Sequence, residues 1–174
     1  QWRKWNQDKS HPLHGKADLG NVALIGHSRG GEAVPIAAAF NKLSYFPDDA
    51  REPFDFNFGI KSVIAIAPTD YRYDRRVEIE NVDFLGIQGS YDSDEDSFFG
   101  LRQLQRTEFS DSSFHLKAGV YIHGANHGQF NTGWGRHDAG FPYKMFLNTE
   151  PMISGEDQRR YAEVLISAFL ETSL

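Results

Sequence analysis

Val22-Ala23-Leu24-Ile25-Gly26-His27-Ser28-Arg29-Gly30-Gly31-Glu32-Ala33-Val34 decides the architecture of this chain. Four apolar residues suited to a buried strand run into Gly26-His27-Ser28-Arg29-Gly30. A helical pattern of small residues follows at once. The stretch is a G-x-S-x-G pattern set between strand and helix. A serine on so sharp a turn has a strained backbone, and a bulky side chain two positions away would clash. Glycine at 26 and 30 removes those side chains and lets strand and helix approach closely. The Ser28 hydroxyl then stands clear at a helix N-terminus, where N–H groups and the helix dipole favour a developing negative charge. A glycine-rich βα turn that only packs is the plainer reading of the same residues.

Outward from this turn a βα rhythm repeats. Trp2 and Trp5 suit one face of a short helix. A strand is predicted over 22–25 and a helix from 29 to about 41, with Ala33, Ile36, Ala37 and Phe40 as its apolar face. Pro35 is assigned to the tolerant first part of that helix. Residues 43–59 hold Pro47, Pro53 and Gly59 and read as loop. Further strands are expected over 62–67, 82–87 and 119–122, with a helix over about 95–107. Ser154 is placed to cap a last helix reaching about Glu171, with Asp157 at the capping-box position. Tyr161, Val164, Leu165, Ala168 and Phe169 are read as its buried stripe. Near-continuous apolar strands between helices indicate an α/β domain, with a parallel sheet of about four strands covered on both faces. No linker divides the chain, so residues 1–174 read as one domain.

Composition sets the bounds. The 174 residues are 40% hydrophobic and 14% aromatic, with a net charge of −6. An acidic chain with no basic run argues against nucleic acid as a partner. No stretch approaches the ~20 apolar residues that span a bilayer. No leader pattern is present, and both a secreted and a cytoplasmic location fit. The chain starts at Gln1 rather than Met, which suggests processing or a fragment. With no cysteine, thiol catalysis, disulfides and thiolate metal sites are excluded.

In parallel sheets chemistry gathers beyond the carboxyl ends of the strands. Those ends carry Ser28, then Thr69-Asp70-Tyr71, then Gly89-Ser90-Tyr91-Asp92, then His123-Gly124-Ala125-Asn126-His127-Gly128. A serine, an acid and a histidine therefore follow successive strands. A serine hydroxyl needs a histidine to take its proton and a carboxylate to orient the ring. Asp92 is the preferred acid and Asp70 its rival. Asp94, Glu95 and Asp96 are expected to charge the start of the following helix. The run from Asp92 to Asp96 hints at calcium, but Ser97 and Gln103 stand where an EF-hand loop has glycine and glutamate. His123 and His127 have zinc-pair spacing, but the glycine and asparagine between them argue against a helix. His27 reads as a packing residue, and His11, His14, His115 and His137 as solvent-facing. The Arg29 side chain suits either an acidic substrate group or Glu32. Tyr71 and Tyr91 are candidate walls of a substrate pocket. Phe130, Trp134, Phe141, Tyr143 and Phe146 follow His127. They read first as anchors of their loop on the core, with a substrate wall as the alternative.

With these motifs in place, the chain resembles the second half of an α/β-hydrolase over essentially its whole length. Gly26-His27-Ser28-Arg29-Gly30, Gly89-x-x-Asp92 and Asn126-His127-Gly128 match the family's three motif positions. The short 69–81 connection is similar to dienelactone-hydrolase-like and polyester-hydrolase-like members. The resemblance implies Ser28 as nucleophile, His127 as general base and acid, Asp92 as orienting acid, and the Arg29 backbone N–H as one oxyanion-hole donor. The family carries about four more strands before the nucleophile strand, and a loop there supplies the other donor. Nothing upstream of residue 22 replaces it, so the fold is expected to be incomplete and its first strand an open apolar edge. The missing N-terminal half, or another copy of the chain, would cover that edge. The expected activity is cleavage of small-molecule or lipid-like carboxylic esters through an acyl-enzyme, with no metal or cofactor. The alternative is a catalytically silent domain for binding or assembly.

Overall fold

The buried residues of the central strands alternate between two cores, as a sheet covered on both faces requires. A computed structural model of the chain describes residues 1–95, 98–138, 140 and 142–174. Asp96, Ser97 and Phe141, all invoked above, lie outside them. In chain order the elements are α1 (Trp2–Gln7), β1 (Val22–His27), α2 (Arg29–Phe40), β2 (Tyr45–Phe46), β3 (Asp49–Pro53), β4 (Ile60–Ile66), β5 (Ile79–Glu80) and β6 (Asp83–Gly89). They continue with α3 (Phe99–Gln105), β7 (Thr107–Glu108), β8 (Lys117–Ile122) and α4 (Gly155–Ser173). One all-parallel sheet runs in the order β1-β4-β6-β8, so the chain is an α/β fold with flanking helices.

Ile64, Ile66, Leu85 and Ile87 face α4 and its Phe169, while Val63, Ala65 and Phe84 face α2 and its Ala38. Each of these large side chains contributes roughly 1.5–3 kcal/mol by leaving water. A row of small residues crosses the sheet in register: Gly26, Ala65, Gly86 and Gly119. A Cβ on Gly119 would meet Leu101 at 2.9 Å, so the row lets α3 lie close to the sheet. Among the described residues β1 pairs only with β4, and Ile25 on it is 54% exposed. The expected open apolar edge is therefore present.

Several local expectations are corrected. Residues 43–59 contain an antiparallel pair, β2 with β3. Pro35 is the seventh residue of α2, beyond its first turn. Helix α3 is shorter than expected; it is entered through Phe98 at φ 74° and has no acid in its first turn, so Asp94 and Glu95 do not cap it. Ser154 caps α4 as expected, its Oγ accepting from the Asp157 N–H at 3.0 Å. The inward faces of α4 and α2 are only partly those expected: Leu165 and Phe169 do face the core. On α4, Gln158, Ala162, Leu165, Ile166 and Phe169 face inward, whereas Val164 is 63% exposed and Tyr161 and Ala168 are exposed too. On α2, Ala33 and Ala37 are exposed and Gly31, Glu32, Pro35 and Ala38 are buried. In both helices a buried polar residue, Glu32 or Gln158, belongs to the inward stripe, and a count of apolar positions passes over it. No helix among the described residues is long and apolar enough to cross a membrane.

Candidate active site

Ser28 sits where β1 turns into α2, with φ 60° and ψ −125°. A non-glycine residue held there costs about 1–3 kcal/mol and persists only where its surroundings enforce it. They do. The Ser28 N–H donates to the Ile66 carbonyl at 2.9 Å, and its own carbonyl accepts from Gly31 at 2.8 Å and Thr69 at 3.2 Å. Ser28 occupies the N-cap position, yet its hydroxyl does not cap the helix. A Cβ at Gly26 would lie 2.1 Å from the Gly30 carbonyl oxygen, so glycine is obligatory there. Gly30 itself has open space around a Cβ; Gly31 is the tight position, 2.8 Å from Pro68. The steric reason offered for Gly30 is thus corrected.

The side chain of Arg29 is exposed and makes no hydrogen bond or ion pair among the described residues. Its backbone N–H belongs to the helix's first turn, where N–H groups have no intrahelical partner. Glu32 does not pair with Arg29. It is buried, takes the Thr69 hydroxyl, and accepts from the N–H groups of Arg72 at 2.8 Å and Tyr73 at 2.9 Å. It thereby pins the segment leaving β4.

The loops leaving β6 and β8 are stitched together. A Cβ at Gly89 would lie 2.3 Å from the Ala125 carbonyl oxygen. The Tyr91 N–H donates to that carbonyl at 2.8 Å, and the Gly124 N–H donates to Ser90 Oγ at 2.8 Å. This contact delivers Asp92 to His127, with Asp92 Oδ2 2.9 Å from Nδ1. Both side chains are buried, His127 to 1% exposure. A carboxylate only accepts, so the proton on this bond belongs to Nδ1 and Nε2 is left as the exchangeable position. Burial pushes the imidazole's pKa down, but the bond to Asp92 and the charges of Asp92 and Asp94 outweigh it, and the net shift is upward. Nε2 is buried without a hydrogen-bond partner among the described residues, and Asp94 Oδ2 stands 3.5 Å from it. The other oxygen of Asp92 accepts from the N–H groups of Asp94 and Glu95 at 3.1 and 2.9 Å, which fixes the turn carrying Asp94.

The structure thus joins Asp92 to His127. His27, the residue before Ser28, touches the histidine loop: its Nε2 lies 3.1 Å from the His127 carbonyl oxygen and its ring packs 4.7 Å from the His127 ring. Ser28 Oγ makes no hydrogen bond to Nε2. Burial and the neighbouring His127 push His27 below the usual histidine range.

Sequence reasoning missed the residues that hold the histidine loop. Asp138 accepts from the N–H groups of His127 at 2.8 Å and Gly128 at 2.7 Å, and from the Asn126 side chain at 2.8 Å. Its burial raises its pKa, against those backbone bonds. Gln158 of α4 accepts from the Asn126 N–H at 3.0 Å and donates to the Asn126 carbonyl at 2.7 Å. Trp134, one of the aromatic residues already singled out after His127, stacks on that ring with centres 5.8 Å apart. Nothing periodic marks 128–153, and the one legible hint was Asn126 beside His127.

Other candidates sit elsewhere. Asp70 is clamped by the Arg106 guanidinium. Tyr71 is exposed, its hydroxyl donating to Glu95 at 3.3 Å. Tyr91 packs edge-on against His123, which is exposed. Neither tyrosine lines the cleft of about 270 Å³ at His127, which is formed with Asp94, Gly128, Trp134, His137 and Asp138. Of the four described rings, Phe130 packs against the core, Trp134 stacks on His127 and lines the cleft, and Tyr143 and Phe146 are exposed. His115 is not solvent-facing; it bridges Asp83 and Asp111. Among the described residues no group of three acidic or histidine side chains could hold a metal ion. No model of a known family matches this chain, and no curated protein matches it.

Proposed function

We propose that the protein is a serine-dependent hydrolase of carboxylic esters, of the α/β-hydrolase type. The observation that carries this reading is a buried acid–imidazole pair, Asp92 with His127, at the rim where Ser28 is held in a strained strand-to-helix turn. Ser28 Oγ attacks the acyl carbon while Nε2 of His127 takes the hydroxyl proton. Asp92 keeps the ring in the tautomer that leaves Nε2 free and stabilises the imidazolium. The Arg29 N–H, at the positive end of α2, faces the developing oxyanion. Collapse expels the alcohol, which takes the proton from Nε2. Water, deprotonated by the same nitrogen, then releases the acid. No cofactor enters this cycle. Substrates are small-molecule or lipid-like esters.

A second reading has its own support. The lack of a Ser28–His127 hydrogen bond and the bare β1 edge favour a silent domain that binds or assembles with a partner. One measurement separates the two. A fluorophosphonate is expected to label the wild-type serine, with labelling abolished in Ser28→Ala and lowered by at least about 10³ in His127→Ala. Equal labelling of all three proteins would discard the hydrolase reading.

A further inference from the structure

Asp92 does more than hold Nδ1: through its second oxygen it fixes the turn that aims Asp94 at the opposite ring nitrogen. The imidazole of His127 therefore lies between two carboxylates, 2.9 Å from one and 3.5 Å from the other. We infer that Asp94 is a positioning residue that holds the proton on Nε2 of His127 and thereby sets the pH at which this ring becomes available as a base. The inference rests on the hydrolase reading only for its effect on rate.

The chemistry is a competition for one nitrogen. A protonated Nε2 is held by the charge of Asp94 and cannot accept from Ser28. When that proton passes to solvent, the attraction to Asp94 ends and the lone pair can receive the Ser28 proton. Asp94 is half-exposed, so its pull is screened but not abolished. Asp138 bonds the His127 backbone N–H and adds negative charge, Glu95 lies on the same turn as Asp94, and His137 lines the cleft. A charge on His127 opposes a second positive charge on the adjacent ring of His27. Among them, Asp94 is the carboxylate facing Nε2.

The test is a titration of the His127 imidazole by NMR in the whole chain, beside the pH profile of fluorophosphonate labelling. In Asp94→Asn, His127 is expected to lose its proton at lower pH. The ratio of labelling at about pH 5.5 to that at about pH 8.5 should then rise about threefold to fivefold, the range of a partly exposed ion pair. Asp94→Glu should restore the wild-type curve, and Asp94→Ser serves as a second neutral variant. A His127 titration in Asp94→Asn and Asp94→Ser that overlays the wild type overturns the assignment. If wild-type Ser28 is unlabelled at every pH, the hydrolase reading falls. The imidazole titration still decides the role of Asp94.

Discussion

The turn at Ser28 and the loop at His127 stand at one rim but are built by different means. The first is made by backbone. Its geometry follows from a glycine that admits no Cβ, from main-chain hydrogen bonds to β4, and from the start of α2. The second is made by side chains. Asp138, Asn126 and Gln158 come from positions 12 to 32 residues apart and satisfy the backbone groups of a loop with no regular structure. A backbone device must leave its mark in consecutive residues, and a side-chain network need not.

The contrast is broken most severely at Gly26. Gly26→Ala should cost at least about 4 kcal/mol in urea denaturation, because the methyl would meet main chain that cannot yield. Gly30→Ala, four residues away, should instead be neutral or stabilise by up to about 1 kcal/mol, since alanine is the better helix residue and the space is empty. Comparable losses at both glycines would show that the turn is not governed by backbone contact. Next in size is Asp138→Ala, which strips two backbone N–H groups and an amide of their acceptor. A loss of about 3–4 kcal/mol is expected, together with slower labelling of Ser28. Gln158→Ala should follow at about 2 kcal/mol, and it should change the chemical shifts of Asn126 and His127 before those of Ser28.

The smallest effect sharpens the comparison from outside both regions. Burial pushes His115 down, but its bonds to Asp83 and Asp111 outweigh that and raise it. The folded chain then keeps a proton that the unfolded chain releases sooner. This contribution is complete below the ordinary histidine range and is lost as the pH rises through the folded-state value. Urea midpoints across that window should fall with pH in the wild type and flatten in part in His115→Gln. The slope that remains combines His127, which is shifted the same way, with His27, whose lowered value acts in the opposite direction.

The same contrast explains what could be read in advance. The four sheet strands were legible because each is a short apolar run between turn residues, and Gly26 through Gly30 announced a strand–turn–helix junction. Asp92 was legible because it follows a strand end, and it does reach His127. Asp138 was not, because it follows ten residues without a period and earns its place by accepting from N–H groups, a role any loop acid can fill. Gln158 was hidden for a related reason. A glutamine on a helix reads as solvent-facing, and here it turns inward because Asn126 offers it both a donor and an acceptor. The hairpin of β2 and β3 escaped notice because Pro47 and Pro53 punctuate it.

Gln158 lies in the opening turn of α4, so the two-way amide contact with Asn126 ties helix fraying to the fate of the histidine. Amide exchange at the start of α4 and at residues 126–128 should share one opening free energy, as members of a single cooperative unit. Whatever loosens the beginning of the last helix also dismantles the seat of the imidazole, while the serine turn on the far strand keeps its form.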